Sequence, residues 1–506
     1  MKKILIYITL VALIASGCKK LDPQLYSTLN SSTFPKTLAD FQAYVAAAYE
    51  PFQAKWGYGD GNNAYQPSWF SPQFGNIMEF DYGTDEMAHF TGWGGFFDYM
   101  SAANYQPFIS FGDNNNDHFE KVRFISRLTQ MIGLISNSSL DDADKNELIA
   151  ECRMSRGWNM YYLLQLYGPV PVILDPKLTG VDAASISAQS NLTRPARADY
   201  VKDIVSDLTF AAANLPKTPS VYGKFNQGLA LTVLMRTYMN EKDFTDAIPV
   251  GQQIMGMGYA LVNDYASLFT EATEKNSETI WAVICQPGSD GAGTSPGFNA
   301  WHFYCYPSDD PSSGTIKSSW GGAGVASMMA TFQFYNSFDP ADKRRNLLSA
   351  SYTTSSGQLV DQATGLAGVV ISKYPDNDLP LNSLQGNDIP GARLADVMLM
   401  LAEAENQVNG PGADAISLVN QVRAAHGGLG PMPGSATADK ASFDAWILKE
   451  QGWDLYFEGD RKMELIRHGQ YNTALQSVGK TPSNPLLPIS YFNLASGKGL
   501  TQTPGY

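Results

Sequence analysis

The sequence predicts a mainly α-helical protein in which helical hairpins stack side by side, with loop-rich segments that carry aromatic residues. Three observations lead to this prediction. Apolar residues recur at helical spacing over most of the chain. Gly, Pro, Ser and Asn concentrate instead in two segments, 55–111 and 285–324. A short apolar run near the N terminus ends at a cysteine and predicts an exported protein.

The N terminus has the features of a lipoprotein signal. Lys2 and Lys3 precede an apolar run, 4–14, that is too short for a comfortable membrane span, which needs roughly 20 residues. The string "LIASGC" that follows resembles a bacterial lipobox, so we expect lipid on Cys18, whose thiolate is a strong nucleophile. A signal without lipid and an incidental cysteine is the alternative. The predicted parts are a signal peptide, 1–17, and one domain, 18–506.

The helical prediction rests on seven segments with apolar periodicity. They are 141–167, 197–214, 227–240, 243–255, 393–408, 413–425 and 442–456. Short polar breaks such as "NEKD" and "NGPG" separate several of them into pairs. Pairs of this kind are typical of stacked helical hairpins of the tetratricopeptide type, although the match to that consensus is poor.

The two loop-rich segments are unusual because they also carry aromatic side chains. Six of the nine tryptophans lie in 55–111 or between Trp281 and Trp320. For any single ring, packing back onto the core is the simpler interpretation. For the whole set, an aromatic binding surface explains the composition better.

Charge and composition exclude several classes of function. The formal net charge of −14 becomes more negative when the signal with its two lysines is removed, so nucleic acid is not an expected partner. Neither the histidines nor the cysteines have metal-ligand spacing, and we expect no metal and no cofactor. Cys152 is expected in the core. Cys285 and Cys305 could form a disulfide after export or remain as two buried thiols.

Several motifs, in a fixed order along the chain, resemble the SusD/RagB family of lipid-anchored glycan-binding proteins from Bacteroidetes outer membranes. "LDPQLYSTLN" follows the anchor, "IAECRMSRGWNMYYLLQLYGPVPVI" and "VKDIVSDLTFAAANLP" resemble two family helices, and "FDPADKRRN" resembles its D-x-R-R turn. "ARLADVMLMLAEAENQ" resembles R-x-ADVLLMYAEA, and "ILKEQGWDLYFEGDRKMELIRHG" resembles ERRYELAFEG-x-R-x-x-DLIRWG. In the latter, Gln451 replaces an arginine and Glu464 an aspartate. The chain ends in "QTPGY", where QNPGY is common.

These matching motifs carry charged residues whose role we expect to be structural. Arg393 precedes Asp396 by three residues, a spacing that allows the two to pair on a helix. Glu458, Arg461, Glu464 and Arg467 alternate in sign at the same spacing. Buried ion pairs that fix helix register are the expected result.

The resemblance implies a SusD-like fold and a surface lipoprotein that binds oligosaccharide or polysaccharide and delivers it to a SusC-type TonB-dependent transporter. It implies an outer-membrane location, facing the cell exterior. Aromatic rings cover the apolar face of a sugar, and polar side chains bond its hydroxyls. The residues expected to bind the ligand are, in order, Trp93, Trp320, Trp301, Tyr304, Tyr58 and Trp69. Asn104 is expected to be structural.

Two other functions stay open from the sequence. A SusD-like protein could bind a peptide, a glycopeptide or another nutrient, because aromatic loops do not separate these ligands. A glycoside hydrolase would need two carboxylates roughly 5–10 Å apart in the aromatic cleft. Glu403 and Glu405 diverge on a helix, and Asp309 and Asp310 are adjacent in sequence, so neither pair fits and we do not expect an enzyme.

Overall fold

A computed structural model describes residues 34–55, 67–72, 74–92, 95–110, 118–289, 297–310, 326–375, 383–481 and 484–506. Contacts divide the chain into two units, Met1–Tyr44 and Val45–Tyr506. The expected signal boundary and Cys18 lie outside the described residues.

Helices dominate the described structure, which confirms the predicted fold class. They are α1 (Leu38–Val45), α2 (Asn76–Phe80), α3 (Phe96–Ser101), α4 (Lys121–Ser136), α5 (Asp142–Tyr167), α6 (Ala183–Ser190), α7 (Arg197–Asn214), α8 (Gln227–Asn240), α9 (Phe244–Met255), α10 (Trp301–Cys305), α11 (Phe332–Ser337), α12 (Leu394–Asn409), α13 (Ala413–Val422), α14 (Lys440–Leu455), α15 (Arg461–Arg467), α16 (Tyr471–Ser477) and α17 (Tyr491–Ser496). In this part of the chain, none of these helices is long and apolar enough to cross a membrane.

The long helices begin and end where local chemistry dictates. The Asp141 side chain accepts the N–H of Asp144 at 2.9 Å and caps α5. Gly168, at φ 73°, ends the same helix because only glycine adopts this conformation without strain. Asn226 and Asp439 cap α8 and α14 in the same way as Asp141 caps α5. These termini can therefore be predicted from neighbouring residues alone.

The helices pack as a series of neighbouring pairs. α4 packs against α5, α5 against α7, α7 against α8, α8 against α9, α9 against α12, and α12 against α13 and α14. Gly157 of α5 allows α7 to approach closely, because a Cβ there would lie 3.1 Å from the Leu208 side chain. The stacked hairpins are as predicted, and their tetratricopeptide character stays a prediction.

The described strands form four small antiparallel sheets, each with two strands. They are β1 (Thr279–Val283) with β8 (Ile389–Arg393), β2 (Gly288–Ser289) with β7 (Ser383–Leu384), β3 (Leu348–Ser349) with β6 (Val370–Ile371), and β4 (Ser351–Thr353) with β5 (Leu359–Asp361). In the first sheet Thr279 lies opposite Arg393, at the point where β8 leads into α12. This register fixes the buried position of the Arg393 side chain.

Candidate functional site

Residues near Trp93 in sequence are hydrogen-bonded to residues that follow Trp320. The Ala88 N–H donates to the Met329 carbonyl at 2.8 Å, so the chain before Trp93 is hydrogen-bonded to the chain after Trp320. Two residues after Met329, the Thr331 N–H donates to the Glu86 carbonyl at 2.7 Å. The fold therefore brings residues 86–88, within the first aromatic-rich segment, next to residues 329–331, which follow the second one and are more than 200 residues away in sequence.

The two ends of segment 311–325 are also held together. The Ala326 N–H donates to the Tyr306 carbonyl at 3.0 Å, and the Met328 N–H donates to the Tyr304 carbonyl at 2.9 Å. The Tyr82 hydroxyl donates to the Ser327 carbonyl. Residues 304–306 and 326–328, which we call the base of this segment, are therefore hydrogen-bonded to each other. Tyr82 connects them to residues 82–88, the base of the segment that carries Trp93.

A buried lysine ties the first of these segments to the C-terminal part of the chain. Lys480 Nζ donates to the carbonyls of Thr84 and Met87 at 2.7 Å and to that of Tyr82 at 3.2 Å. Burial lowers the pKa of Lys480 to about 7, although the charge of Asp85 acts in the opposite direction. Three carbonyls around one amine hold the backbone of 82–87 in a single conformation.

A cavity of about 520 Å³ opens beside this base. Its lining includes His89, Asn104 and Thr481, whose side chains are exposed, together with Ala103 and Lys480. The sequence interpretation took Asn104 as structural, whereas its side chain lies at the solvent-facing edge of this cavity. Only its place in a helix-to-loop junction hinted at a surface role.

Two non-glycine residues at this site have an unusual backbone conformation. Ala103, in the cavity wall, has φ 55°, and Ala326, at the base of the second segment, has φ 47°. Left-handed conformations of this kind cost free energy for residues with a Cβ and cluster at functional sites. Their position supports a functional role for this part of the surface.

The structure corrects the prediction for Trp69, which is a core residue. Its side chain is completely buried, stacks on His118 with ring centroids 4.2 Å apart, and donates through Nε1 to Asn159 Oδ1 at 2.8 Å. Lys121 Nζ lies 4.3 Å from the centre of the same ring. A ring covered in this way has no free face for a sugar.

Trp301 and Tyr304 are corrected for the same reason. Trp301 is 1% exposed and meets the Phe457 ring edge-on, with centroids 5.3 Å apart. Tyr304 is completely buried beside Phe303. Both lie in α10, and their burial follows from the packing of that short helix into the core rather than from its composition.

The other predicted residues cannot be assigned from the structure. Trp93, Trp320, Tyr58 and Cys18 lie outside the described residues. Their roles stay predictions. For Trp93 and Trp320, the structure describes the backbone nearby, at Ala88 and Met329.

Some charged residues of the family motifs, Arg393 and Glu458 among them, belong to an ion cluster of ten side chains. Its carboxylates are Glu278, Asp342, Glu450, Asp454 and Glu458, and its basic groups are Arg344, Lys373, Arg393, Arg423 and His426. All ten are buried. With five groups of each sign, the cluster is neutral only when His426 carries a proton.

Asp454 lies at the centre of this cluster. Its carboxylate is 2.7 Å from Arg393 Nη1, 3.1 Å from Arg344 Nη1 and 2.8 Å from His426 Nδ1. His426 Nε2 is 2.9 Å from Glu278 Oε2. Burial alone would lower the pKa of His426, but the carboxylates of Asp454 and Glu278 outweigh it and raise this pKa to about 9.

The expected pairing of Arg393 with Asp396 is wrong. Arg393 ends β8 and reaches Glu458 at 2.8 Å instead, whereas Asp396 pairs with Arg236 of α8 at 2.8 Å. A spacing of three allows a pair only when both residues are helical, and Arg393 precedes α12 with φ −142°. The buried ion pairs are confirmed. Most of them join different elements, but Arg461 and Glu464, three residues apart in α15, lie 3.5 Å from each other as their spacing predicts.

The carboxylates considered for catalysis have other partners. Glu403 binds Arg467 at 2.6 Å and His468 at 3.2 Å, and these charges, against burial, hold the pKa of Glu403 below its ordinary value. Asp309 accepts the Tyr352 hydroxyl at 2.7 Å, while Asp310 is buried. Glu403 is thus part of a structural ion pair.

The three cysteines among the described residues are free thiols. Cys285 and Cys305 are buried and unbridged, and Cys152 is buried as expected. Among the described residues, no group of three or more His, Cys, Asp or Glu side chains is arranged to hold a metal ion.

The fold and this site together define a class of protein. It is a mainly helical scaffold that fixes the bases of two aromatic-rich segments side by side, next to an open cavity. A family model described as "SusD family" matches residues 343–506. A second one, described as "Starch-binding associating with outer membrane", matches residues 86–239. The sequence thus matches the SusD family in two ranges, one in each half of the chain.

Individual relatives agree with this assignment. A SusD-like protein of Formosa agariphila is 25% identical over 368 residues, which are 66% of this chain and 66% of that protein. The chain thus matches about two thirds of that relative's length. A second SusD-like protein of the same organism is 24% identical and covers 74% of this chain and 77% of its own length.

Solved structures establish the fold at lower sequence identity. A "Laminarin binding SusD-like protein" has a TM-score of 0.72 at 22% identity and covers 93% of this chain and 100% of its own. Surface glycan-binding protein A from Bacteroides thetaiotaomicron, in complex with laminarihexaose, has a TM-score of 0.71 at 17% identity and covers 92% of this chain and 98% of its own.

Proposed function

We propose that this protein is a lipid-anchored protein of the outer-membrane surface that captures neutral oligosaccharides and passes them to a SusC-type TonB-dependent transporter. The observation that carries the proposal is the hydrogen-bonded pairing of Ala88 with Met329. It supports one binding surface built from both aromatic-rich segments, with Trp93 and Trp320 as the rings that stack on sugar.

The neighbouring cavity supports a polar, uncharged ligand. Asn104 and Thr481 offer amide and hydroxyl groups at its edge, and His89 adds a ring nitrogen. Sugar hydroxyls both donate and accept, so they match such groups. The laminarin and laminarihexaose of the two related structures make β-linked glucose oligosaccharides the first probes to test.

The two tryptophans provide the test of this function. Trp93→Ala and Trp320→Ala should each weaken oligosaccharide binding by about 1–3 kcal/mol, by analogy with bases that stack on aromatic side chains. Calorimetric titration with a panel of oligosaccharides, laminarihexaose included, measures the loss. Melting curves should be nearly unchanged, because truncating a ring that faces solvent leaves no cavity in the core.

Trp69→Ala is the matched contrast. Trp69 is enclosed, so its truncation should cost roughly 3–5 kcal/mol of folding stability. If Trp93→Ala and Trp320→Ala behaved like Trp69→Ala, with lower melting temperatures and unchanged affinity, the proposed surface would be wrong. Binding of peptides but not sugars in the same panel would favour the peptide-binding alternative.

The anchor is tested separately. Cys18→Ala should leave the fold intact and release the protein from membranes, because Cys18 is the predicted site of lipid attachment. Cell fractionation in a strain without the partner transporter measures this release against the wild type. Equal membrane retention of the two proteins would contradict a lipid anchor.

A further inference from the structure

A second cavity, of about 670 Å³, lies between three parts of the scaffold. One wall is the start of α4, with Val122 and Ser126. The second is the extended chain 171–174, and the third is the loop 189–195. None of its lining residues lines the cavity at His89 and Asn104. Its volume lies within the range that small-molecule sites occupy.

The polar groups of this second cavity are mostly uncharged, and its charged lining residues are Glu120, Arg123 and Asp203. Asn493 and Glu120 line it and are only 1% and 6% exposed, so both are built into the protein rather than lying on its surface. The Glu120 carboxylate is 3.2 Å from Arg123, which compensates its charge. Asn191 adds an amide, whereas the Ser126 hydroxyl donates to the Val122 carbonyl of its own helix at 3.3 Å and is not counted among the ligand-binding groups. Asp203 adds a second carboxylate, so the lining carries one net negative charge and an anionic ligand is disfavoured.

The backbone adds further hydrogen-bonding groups. Within the described residues, the N–H groups of Val172 and Leu174 have no hydrogen-bond partner, although both residues line the cavity. Backbone amides that are partly shielded from water are costly to leave unbonded. They are available to a ligand that carries oxygen acceptors.

Apolar surface lies next to these polar groups. Val122, Leu174 and Leu192 contribute side-chain carbon to the same walls. A neutral sugar presents an apolar C–H face and hydroxyls that donate and accept, which matches donors, acceptors and carbon in one cavity. An anionic ligand would meet the net negative charge of the lining, and a cationic or purely apolar ligand would leave the two backbone amides unpaired.

We propose that this cavity, formed by α4, chain 171–174 and loop 189–195, is a second oligosaccharide-binding site. It rests on the proposed function in one respect, namely that the protein meets oligosaccharides at the cell surface. It differs from that function in place, because it needs neither Trp93 nor Trp320.

The test uses the full mature protein with both Trp93→Ala and Trp320→Ala, so that the first surface is disabled. Hydrogen–deuterium exchange is followed with laminarihexaose, cellohexaose, xylohexaose and mannohexaose in turn, each at millimolar concentration. We expect slower exchange in peptides that cover 119–126, 171–174 and 189–195 with at least one of them. Adding Ser126→Trp, which places an indole in the cavity, should abolish this protection.

Ser126→Ala in the same background is the matched control. It keeps the cavity open, because the Ser126 hydroxyl bonds only to the Val122 carbonyl of its own helix, so protection should persist. Protection unaffected by Ser126→Trp, or absent with all four sugars, would overturn the second site. If the wild-type protein still binds sugar in calorimetry, the proposed function stands and only the second site is overturned. If the wild-type protein binds none of the sugars, both the proposed function and the second site are overturned.

Discussion

Replacing His426 with glutamine should destabilise the protein strongly below pH 6.5 and progressively less as the pH rises through 9. The imidazolium bridges Asp454 and Glu278 inside the buried ion cluster, and without it the cluster keeps one uncompensated negative charge. The pKa of His426 is raised from 6.5 to about 9 in the folded protein. Such a shift corresponds to about 3 kcal/mol of folding stability.

The sign of this pH dependence follows from proton linkage. A group whose pKa is higher in the folded state stabilises that state fully below its unfolded pKa and loses this effect as the pH rises past its folded pKa. Burial lowers the pKa of Lys480 to about 7 and that of Lys373 to about 8, which gives the opposite trend. Both lysines are present in wild type and variant, so the difference between the two proteins isolates His426.

Melting temperatures of wild type and His426→Gln at a series of pH values between 5 and about 9.5 measure this effect. His89→Gln is the matched control, because His89 is exposed and its replacement should leave the melting temperature unchanged at every pH. A difference between wild type and His426→Gln that is the same at every pH would show that the charge of His426 is not what stabilises the fold.

Lys480→Met should weaken oligosaccharide binding about tenfold, the equivalent of 1.4 kcal/mol. This loss is expected although Trp93 and Trp320, the residues predicted to stack on sugar, are both retained. The methionine fills the volume of the lysine stem but donates no hydrogen bond to the carbonyls of Tyr82, Thr84 and Met87. A buried carbonyl left without a donor costs about 1–3 kcal/mol, so the backbone of 82–87 is expected to rearrange. The hydrogen bond between Ala88 and Met329 would then be displaced. We expect this to move the proposed binding surface of Trp93 and Trp320 out of its binding geometry.

Titration and melting of Lys480→Met separate positioning from general destabilisation. Val419→Ala serves as the control, because Val419 is buried in α13, away from this site, and its truncation lowers stability without moving segment 82–87. We expect Val419→Ala to keep the wild-type affinity. Equal affinity for Lys480→Met and wild type, with only the melting temperature lowered, would leave Lys480 as a structural residue alone.

The helices were the most predictable part of this protein. The predicted bounds 197–214 and 227–240 coincide with α7 and α8, and 141–167 differs from α5 by one residue. Helical periodicity and caps depend on residues within one or two turns, which a sequence displays directly. The largest deviation, at the end of α13, arises because residues Arg423–Gly427 continue as a turn of π-helix.

The candidate site was predictable only in outline. Composition pointed to the two aromatic-rich segments, and the structure joins the first, at Ala88, to the chain that follows the second, at Met329. Composition could not separate a ring that faces solvent from one that is enclosed, as Trp69 and Trp301 show. It also gave no sign of Lys480, an isolated lysine whose three carbonyl partners lie nearly 400 residues earlier.

The sequence by itself determined the helical scaffold, its resemblance to the SusD family and the segments in which a ligand site should lie, because periodicity, caps and motif order are local properties of a chain. Only the tertiary structure decided which aromatic rings are buried and which charges meet. Arg393 shows the reason: its spacing from Asp396 allows a local pair, but the register of β8 turns it toward Asp454 and Glu458. Burial and ion pairing depend on residues that are distant in sequence, and their energies become large only where folding has excluded water.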